Sequence, residues 1–305
     1  MQLPIKQLRV QSLPQELIMF KKLQQKWLAI KLITRMDKPI GTYLLLWPTY
    51  WALWIASDGW PSLHLLMVFS LGVFVMRSAG CVINDIADIK VDGQVERTKN
   101  RPLISGLMTK AQAINLFGLL IGCALGLVLT LSWPTIYLSV VALVLAASYP
   151  FMKRYTQLPQ VVLGAAFSWG MIMAFAETMG EIPLIAWLLF TANLLWTVAY
   201  DTMYAMVDRE DDLKIGVKST AILFGDHDKR IIGFLQLIVL ALLFTVGDML
   251  AFGWPFQLSL VICAGLFSYQ QLLIVNRKRN NCFQAFLHNH WVGMIIFIGI
   301  FVEYL

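Results

Sequence analysis

Asn84, Asp85, Asp88 and Asp92 stand within nine positions of one another, directly after the apolar run LLMVFSLGVFVMRSAGCVI. A second group of acids, Asp201, Asp208 and Asp212, lies in YDTMYAMVDREDDLKIGVKST, again at the end of an apolar run. A helix advances about 100° per residue. If one continues through the first group, Asp85, Asp88 and Asp92 fall within about 60° of one another, and Asn84 widens the arc to about 100°. Asp201, Asp208 and Asp212, spaced i, i+7, i+11, share a face within about 40°. Carboxylates stacked this closely repel, so they must either raise one another's pKa or bind a cation. Hard oxygen donors without His or Cys suit Mg²⁺, which takes one or two carboxylates and completes its shell with phosphate oxygens. Two facing columns of this kind would hold two or more Mg²⁺ ions with a diphosphate between them. The cations nearby fit a polyanionic leaving group: Arg97, Lys99 and Arg101, then Lys153 and Arg154, then Lys214 and Lys218. Arg77 lies inside the apolar run, about two turns before Asn84. It projects near the acid column and reads as an anion contact, with snorkelling to the interface as the plainer alternative. Glu96, Lys99, Lys110, Lys229 and Arg230 read as ordinary solvated loop charge.

The elements that must carry these residues are membrane helices. The chain of 305 residues is 58% hydrophobic and 14% charged, with a mean hydropathy of +0.68, against about one quarter charged in soluble domains. Runs of the length a membrane helix needs occur at 39–57, 61–83, 111–131, 134–152, 157–176, 182–200, 231–247, 250–274 and 283–303. SWPT at 132–135 divides the long apolar stretch 111–152 in two, because Pro134 has no amide donor and suits a turn. The fold class is therefore an all-α polytopic membrane protein of nine helices. Residues 1–36 read as an amphipathic arm on the membrane surface without a catalytic role, and 37–305 as one domain. The arm carries no signal-peptide core.

All 24 Lys and Arg residues lie in or beside 1–38, 77, 90–110, 153–154, 209–230 and 277–279. The opposite connections hold only Asp58, Glu177, Glu181 and Asp248. The positive-inside rule then places the N-terminus and both acid-rich loops in the cytoplasm. The net charge of +6 is thereby absorbed by the topology and implies no nucleic-acid partner. Cys81, Cys123, Cys263 and Cys282 show no CxxC or metal spacing and read as small apolar core residues. The two polar islands follow helices two and six, which hints at a duplicated four-helix unit with one helix to spare.

These residues resemble the UbiA-type intramembrane prenyltransferases. The family's first motif, N-D-x-x-D-x-x-x-D, is met by Asn84, Asp85, Asp88 and Asp92, and its D-x-x-x-D by Asp208 and Asp212. RMDKPIGTYLLLWPT at 35–49, RTKNRPL at 97–103, YPFMKRYTQLPQ at 149–160 and DREDDLKIGVKSTAILFG are similar to the branch acting on 4-hydroxybenzoate in ubiquinone biosynthesis. The resemblance runs over nearly the whole chain from Arg35, with no departure at the motif positions. It implies nine helices around a central cavity capped by cytoplasmic polar loops in a bacterial inner membrane. It also implies Mg²⁺-dependent transfer of a polyprenyl group from polyprenyl diphosphate to the ring carbon ortho to the hydroxyl of 4-hydroxybenzoate. Asn84, Asp88, Asp92, Asp208 and Asp212 would hold the Mg²⁺–diphosphate, with Asp85 counted among the metal-facing acids. Arg97, Arg101 and Lys214 would assist the diphosphate, while Arg77, Tyr149, Lys153 and Asp201 match further cavity positions. Asp201 is the candidate base, Tyr149 a face for an allyl cation, and Arg154 the expected partner of the acceptor's carboxylate.

Three other readings compete. A membrane CDP-alcohol phosphotransferase would need D-G-x-x-A-R, and Asp92-Gly93 is followed by QVERT. A Mg²⁺ channel would line both halves of the bilayer with acids, whereas these cluster on one side. Acceptors other than 4-hydroxybenzoate within the same family are disfavoured by the long second motif.

Overall fold

The computed structural model describes residues 15–90, 92–94 and 98–305. Among these the chain is helical and contains no strand. In chain order the helices are α1 (Gln15–Ile33), α2 (Ile40–Ala56), α3 (Leu63–Ala87), α4 (Lys110–Val128), α5 (Trp133–Tyr155), α6 (Pro159–Met179), α7 (Leu184–Ile215), the short α8 (Thr220–Phe224), α9 (Asp228–Met249), α10 (Trp254–Ile274) and α11 (Arg279–Glu303). Each expected span has its helix. Eight of the described stretches are long and apolar enough to cross a membrane. The remaining one, α2, has 17 residues, slightly fewer than the roughly 20 a span needs.

Short connections make successive helices antiparallel. α2 packs on α3, α3 on α4 and α5, α5 on α6, α6 on α7, α7 on α9, α9 on α10, and α10 on α11, which closes the ring on α2. α2 also meets α6, and α7 meets α11. Trp51 of α2 stacks on Trp196 of α7, with centroids 5.6 Å apart. Both indoles find acceptors on α11: the Gly293 carbonyl at 2.9 Å and Asn289 Oδ1 at 2.8 Å. A donor left unpaired here would find no water to serve it. The outer surface stays apolar, with Leu119, Val144, Phe234, Leu237, Val261 and Leu272 exposed as a lipid-facing side requires.

The alternation brings the basic connections to one end of the bundle and leaves acids at the other. There Glu177 accepts from the Ser132 amide (2.9 Å) and hydroxyl (2.7 Å) at the start of α5. Glu303 accepts from the Gly253 and Phe256 amides (2.8 and 3.0 Å) at the start of α10. Carboxylates at helix N-termini satisfy orphan amides and complement the helix dipole. Pro134 sits in the first turn of α5, where its missing donor costs nothing, so the SWPT break is a helix start.

Two helices outrun their apolar segments. α7 continues to Ile215, past the hydrophobic limit at 200, and stops where Gly216 takes a left-handed φ of 73°. The amides of Gly216 and Val217 both close on the Asp212 carbonyl. α3 does the reverse of what a continuous acid column needs: it ends at Ala87, with Asp88 as its cap and Asp92 in a separate 3₁₀ turn. The amides of Asp88 and Asp92 still bond to the carbonyls of Asn84 and Asp88 at 2.9 Å each. That near-helical pitch keeps the three acids on one side although the helix has ended.

Of the segment expected as a surface arm, Gln15–Ile33 forms α1, and 1–14 lie outside the described residues. Ala29 and Ile33 bury against Val82, Met108 and Ala113, while Met19, Leu23 and Trp27 remain exposed.

The charge arrangement sets an orientation that can be measured. With the four native cysteines replaced, Glu181→Cys in sealed right-side-out vesicles should react with an impermeant maleimide. Lys214→Cys should react only after permeabilisation. The opposite pattern would invert the topology.

Candidate active site

At the basic end the helices surround a cavity of about 1130 Å³, larger than most small-ligand pockets of roughly 300–1,000 Å³. Its upper wall is polar and includes Asn84, Asp85, Asp88, Asp92, Arg101, Tyr149, Lys153, Asp201, Asp208 and Asp212. Its lower wall is apolar, built from Phe69, Val73 and Met76 of α3, Leu125 and Val128 of α4, and Ala142, Leu143 and Ala146 of α5. One space thus joins a cluster of acids to a greasy channel running into the bundle.

α7 divides its charges by face. Asp201, Tyr204, Asp208 and Asp212 point to the cavity, as their spacing requires. Its other faces carry the handles that hold the helix in place. Arg279, at the start of α11, contacts Glu210 (2.9 Å) and Asp211 (3.2 Å). Asp228, fully buried at the start of α9, takes Arg277 at 2.8 Å and Arg209 at 3.4 Å. Hydrogen bonds to Asp228 hold the Arg277 guanidinium above its ordinary range.

The first group is more deeply enclosed. Asp85, Asp88 and Asp92 are 1%, 4% and 5% exposed. Lys153 of α5 reaches across to Asp88 Oδ2. Arg101 Nη1 lies 3.0 Å from Asp85 Oδ1 and 2.6 Å from Asp92 Oδ2, so one nitrogen bridges two acids. Thr98 fixes the turn by donating to the Asp92 carbonyl at 2.6 Å. Burial pushes Asp92 above the usual carboxylate range, and Arg101 offsets only part of that rise. Burial also works against the Arg101 charge, yet Asp85 and Asp92 outweigh it and hold the guanidinium above its ordinary range.

Arg77 enters the cavity wall from α3. Its Nη1 rests on the Cys81 sulfur, and its buried Nε finds no hydrogen-bond partner. The guanidinium lies against the backbone of α2 at Gly41, where an added Cβ would come within 2.7 Å of Arg77 Cζ. Only glycine leaves that seat open. Tyr149 stands within the electrostatic field of Asp201, Asp88, Tyr204 and Arg77.

Two expected site residues are placed elsewhere. Arg154 follows Lys153 by one step of about 100°, and so turns away from the cavity. Its Nη2 donates to the Ala87 carbonyl at 2.6 Å, capping the end of α3, and its guanidinium lies over the Phe151 ring. Lys214 follows Asp212 by about 200°. It is outside the cavity lining, with its side chain 75% exposed beside Asp211. Asp85, grouped with the metal-facing acids, already has both oxygens engaged by Arg35 Nη2, at 2.8 and 3.1 Å. Arg97 lies outside the described residues. Lys218 does line the cavity, and its ammonium also donates to the Tyr155 carbonyl at 3.3 Å. Sequence reasoning missed Arg35, Gly41 and Arg279. Arg35 enters the sequence reading as a topological anchor and as the start of the stretch RMDKPIGTYLLLWPT, with no role at the site.

The donors suit a hard divalent cation: carboxylate and amide oxygens and no imidazole. Among the described residues no three acidic, His or Cys side chains converge tightly enough to hold an ion alone. An Mg²⁺ here would therefore take one or two carboxylates and draw its other ligands from a bound anion.

Comparison with known proteins agrees with this chemistry. The family described as "UbiA prenyltransferase family" matches residues 45–294. The chain is 79% identical over 287 residues to the 4-hydroxybenzoate octaprenyltransferase of Colwellia psychrerythraea, covering 94% of this chain and 100% of that one. It is 58% identical over 281 residues to the protein of the same description from Citrobacter koseri, covering 92% and 97%. Among solved structures, a UbiA homologue from Aeropyrum pernix aligns with a TM-score of 0.76 at 24% identity, over 86% of this chain and 98% of that one. A UbiA homologue from Archaeoglobus fulgidus, bound to GPP and Mg²⁺, aligns at 0.69 and 15%, over 90% and 99%. At these identities the two structures speak for the fold alone.

The contact between Lys153 and Asp88 has a measurable cost. Lys153→Met leaves a nearly buried carboxylate without its partner and should lower stability by roughly 1–3 kcal/mol. Lys153→Met combined with Asp88→Asn should recover most of that loss. Thermal denaturation in detergent without Mg²⁺ reads both; additive losses in the double variant would contradict the pairing.

Proposed function

The chain belongs to the UbiA prenyltransferase family, and from that premise we propose that its cavity transfers a polyprenyl group from polyprenyl diphosphate to the ring carbon ortho to the hydroxyl of 4-hydroxybenzoate, a step of ubiquinone biosynthesis in a bacterial inner membrane. The observation that carries this reading is the meeting of two acid groups, with Lys153, Arg101 and Arg77, at the mouth of one apolar channel. The 79% identity to a 4-hydroxybenzoate octaprenyltransferase narrows the acceptor and the class of donor.

A polyprenyl diphosphate has a charged head and a long apolar tail, and the cavity offers a matching wall for each. The head fits between Asn84, Asp88 and Asp92 on one side and Asp208 and Asp212 on the other. Mg²⁺ held by these oxygens would neutralise the diphosphate and so ease its departure as an anion. Lys153 and Arg101 add fixed positive charge at the same end, preorganised by their salt bridges so that little reorientation is needed as charge develops. The tail lies along α3, α4 and α5. Water is kept from the allylic carbon by that wall, which matters because an allyl cation is quenched by water. Tyr149 presents a π face to the cation.

The acceptor needs a cation for its carboxylate and a place for its ring beside the allylic carbon. Arg77 fits the first requirement, since its side chain lines the cavity wall. Arg154 fits it poorly, because its guanidinium is engaged outside the cavity. Asp201, which lines the same cavity as Tyr149, is the candidate to draw the phenol proton, raising electron density at the ortho carbon, or to take the ring proton after the C–C bond forms.

Two sets of variants test this reading. Asp88→Ala and Asp208→Ala should each lower transfer about 10²–10³-fold or more at saturating Mg²⁺, with the protein still inserted. Near-normal turnover in either would remove the two-sided head site. Gly41→Ala and Arg77→Ala should raise the KM for 4-hydroxybenzoate well above any change in donor KM, while Arg154→Ala should leave both KM values near wild type. A rise in donor KM alone would move Arg77 to the diphosphate.

A further inference from the structure

Asp85 is the most deeply buried of the first acid group, 1% exposed, and two guanidinium groups already contact it. Arg35 Nη2 reaches both of its oxygens, at 2.8 and 3.1 Å. Arg101 Nη1 reaches Oδ1 at 3.0 Å and, with the same nitrogen, Asp92 Oδ2 at 2.6 Å. At its other end Arg35 Nη1 donates to the Leu32 carbonyl at 2.6 Å, in the last turn of α1. Arg35 itself holds a left-handed backbone, φ 59°, which a residue with a Cβ adopts only when its surroundings compensate. An unbroken chain of polar contacts therefore runs from the surface helix α1 through Arg35, Asp85 and Arg101 to Asp92.

We propose that Arg35 and Asp85 are positioning residues, which hold Arg101 against Asp92 and so set the geometry of the metal–diphosphate end, and that Asp85 itself ligates no metal. A dication placed on Asp85 would face two guanidinium groups already in contact with it, and their mutual repulsion disfavours that site. Asp88 is met by Lys153, from another helix. Contact of the one Arg35 nitrogen with both oxygens holds the Asp85 carboxylate in place, and that carboxylate directs Arg101. Without the clamp, Arg101 would lose its tie to the buried Asp85 of α3 and keep only its contact with Asp92. The arm thus has a task at the catalytic end, in contrast to the passive role its sequence suggested. The inference rests on the reading of the cavity as a Mg²⁺–diphosphate site.

The test compares full-length wild type, Arg35→Ala, Arg35→Lys, Asp85→Asn and Asp88→Asn. Two quantities are read: the Mg²⁺ concentration giving half-maximal transfer, and the thermal shift produced by Mg²⁺ with inorganic pyrophosphate. Arg35→Ala and Asp85→Asn should raise half-saturating Mg²⁺ about tenfold, the scale of one charged hydrogen bond, and shrink the thermal shift. Their deficit should narrow as Mg²⁺ is raised, and Arg35→Lys, which keeps the charge but not the fork, should fall between. Asp88→Asn should stay impaired at every Mg²⁺ concentration. If Asp85→Asn behaves like Asp88→Asn while Arg35→Ala is normal, Asp85 is a ligand and the proposal fails. It fails equally if Arg35→Ala and Asp85→Asn both keep wild-type half-saturation and thermal shift. Should Asp85→Asn not fold, the Arg35 pair alone decides, because that side chain is partly exposed. A wild-type protein with no thermal shift from Mg²⁺ and pyrophosphate would instead overturn the reading of the cavity, and the proposal with it.

Discussion

Burying carboxylates at the ends of membrane helices is the constraint on which the architecture turns. An ionised carboxylate removed from water without a partner costs several kcal/mol even after relaxation, and Asp85, Asp88 and Asp92 are all nearly inaccessible. Among the described residues their compensation comes from Arg35 at the end of the arm, Arg101 in the loop beyond α3, and Lys153 on α5. None is local in the helix that bears the acids. The arm, the loop and α5 must therefore all assemble around the end of α3, and the salt bridges tie the cap of the bundle together as they neutralise it. Arg154, capping α3 through the Ala87 carbonyl, completes that enclosure from outside.

α7 meets the same constraint differently. Its cavity-facing acids stand on a helix that runs far past the apolar segment, and that helix is held by Arg279 from α11 and by Arg209 with Arg277 around Asp228. The cavity thus presents acids from two helices together with the cations that line it, Lys153, Arg101 and Lys218 among them. A polyanionic substrate arriving with its divalent cations suits such a mixed wall. The apolar wall of α3, α4 and α5 then selects among polyanions for one carrying a hydrocarbon tail.

Much of this was legible in the residues. Nine apolar runs, the break at Pro134, the one-sided distribution of cations and the i, i+7, i+11 spacing of Asp201, Asp208 and Asp212 all depend on local composition or helical period, and each has its counterpart in the fold. What was not legible depends on phase or on distant partners. Arg154 and Lys214 have the charge a site would want, but one or two residues of helical rotation send them outward. The pairing of Arg35 with Asp85 joins positions 50 apart, and nothing in either neighbourhood announces it. The end of α3 at Ala87 was hidden because the following turn keeps helical pitch, so the acids still align although the helix does not continue.

The most direct measurement is a structure of the protein in lipid with Mg²⁺ and an unreactive polyprenyl thiolodiphosphate. The account predicts both phosphates between the Asn84–Asp88–Asp92 wall and the Asp208–Asp212 wall, next to Lys153 and Arg101. It further predicts a tail lying along α3, α4 and α5, and Asp85 still paired with Arg35. Phosphates bound instead at the outer cations Arg154 and Lys214, or a tail directed away from that apolar wall, would contradict it.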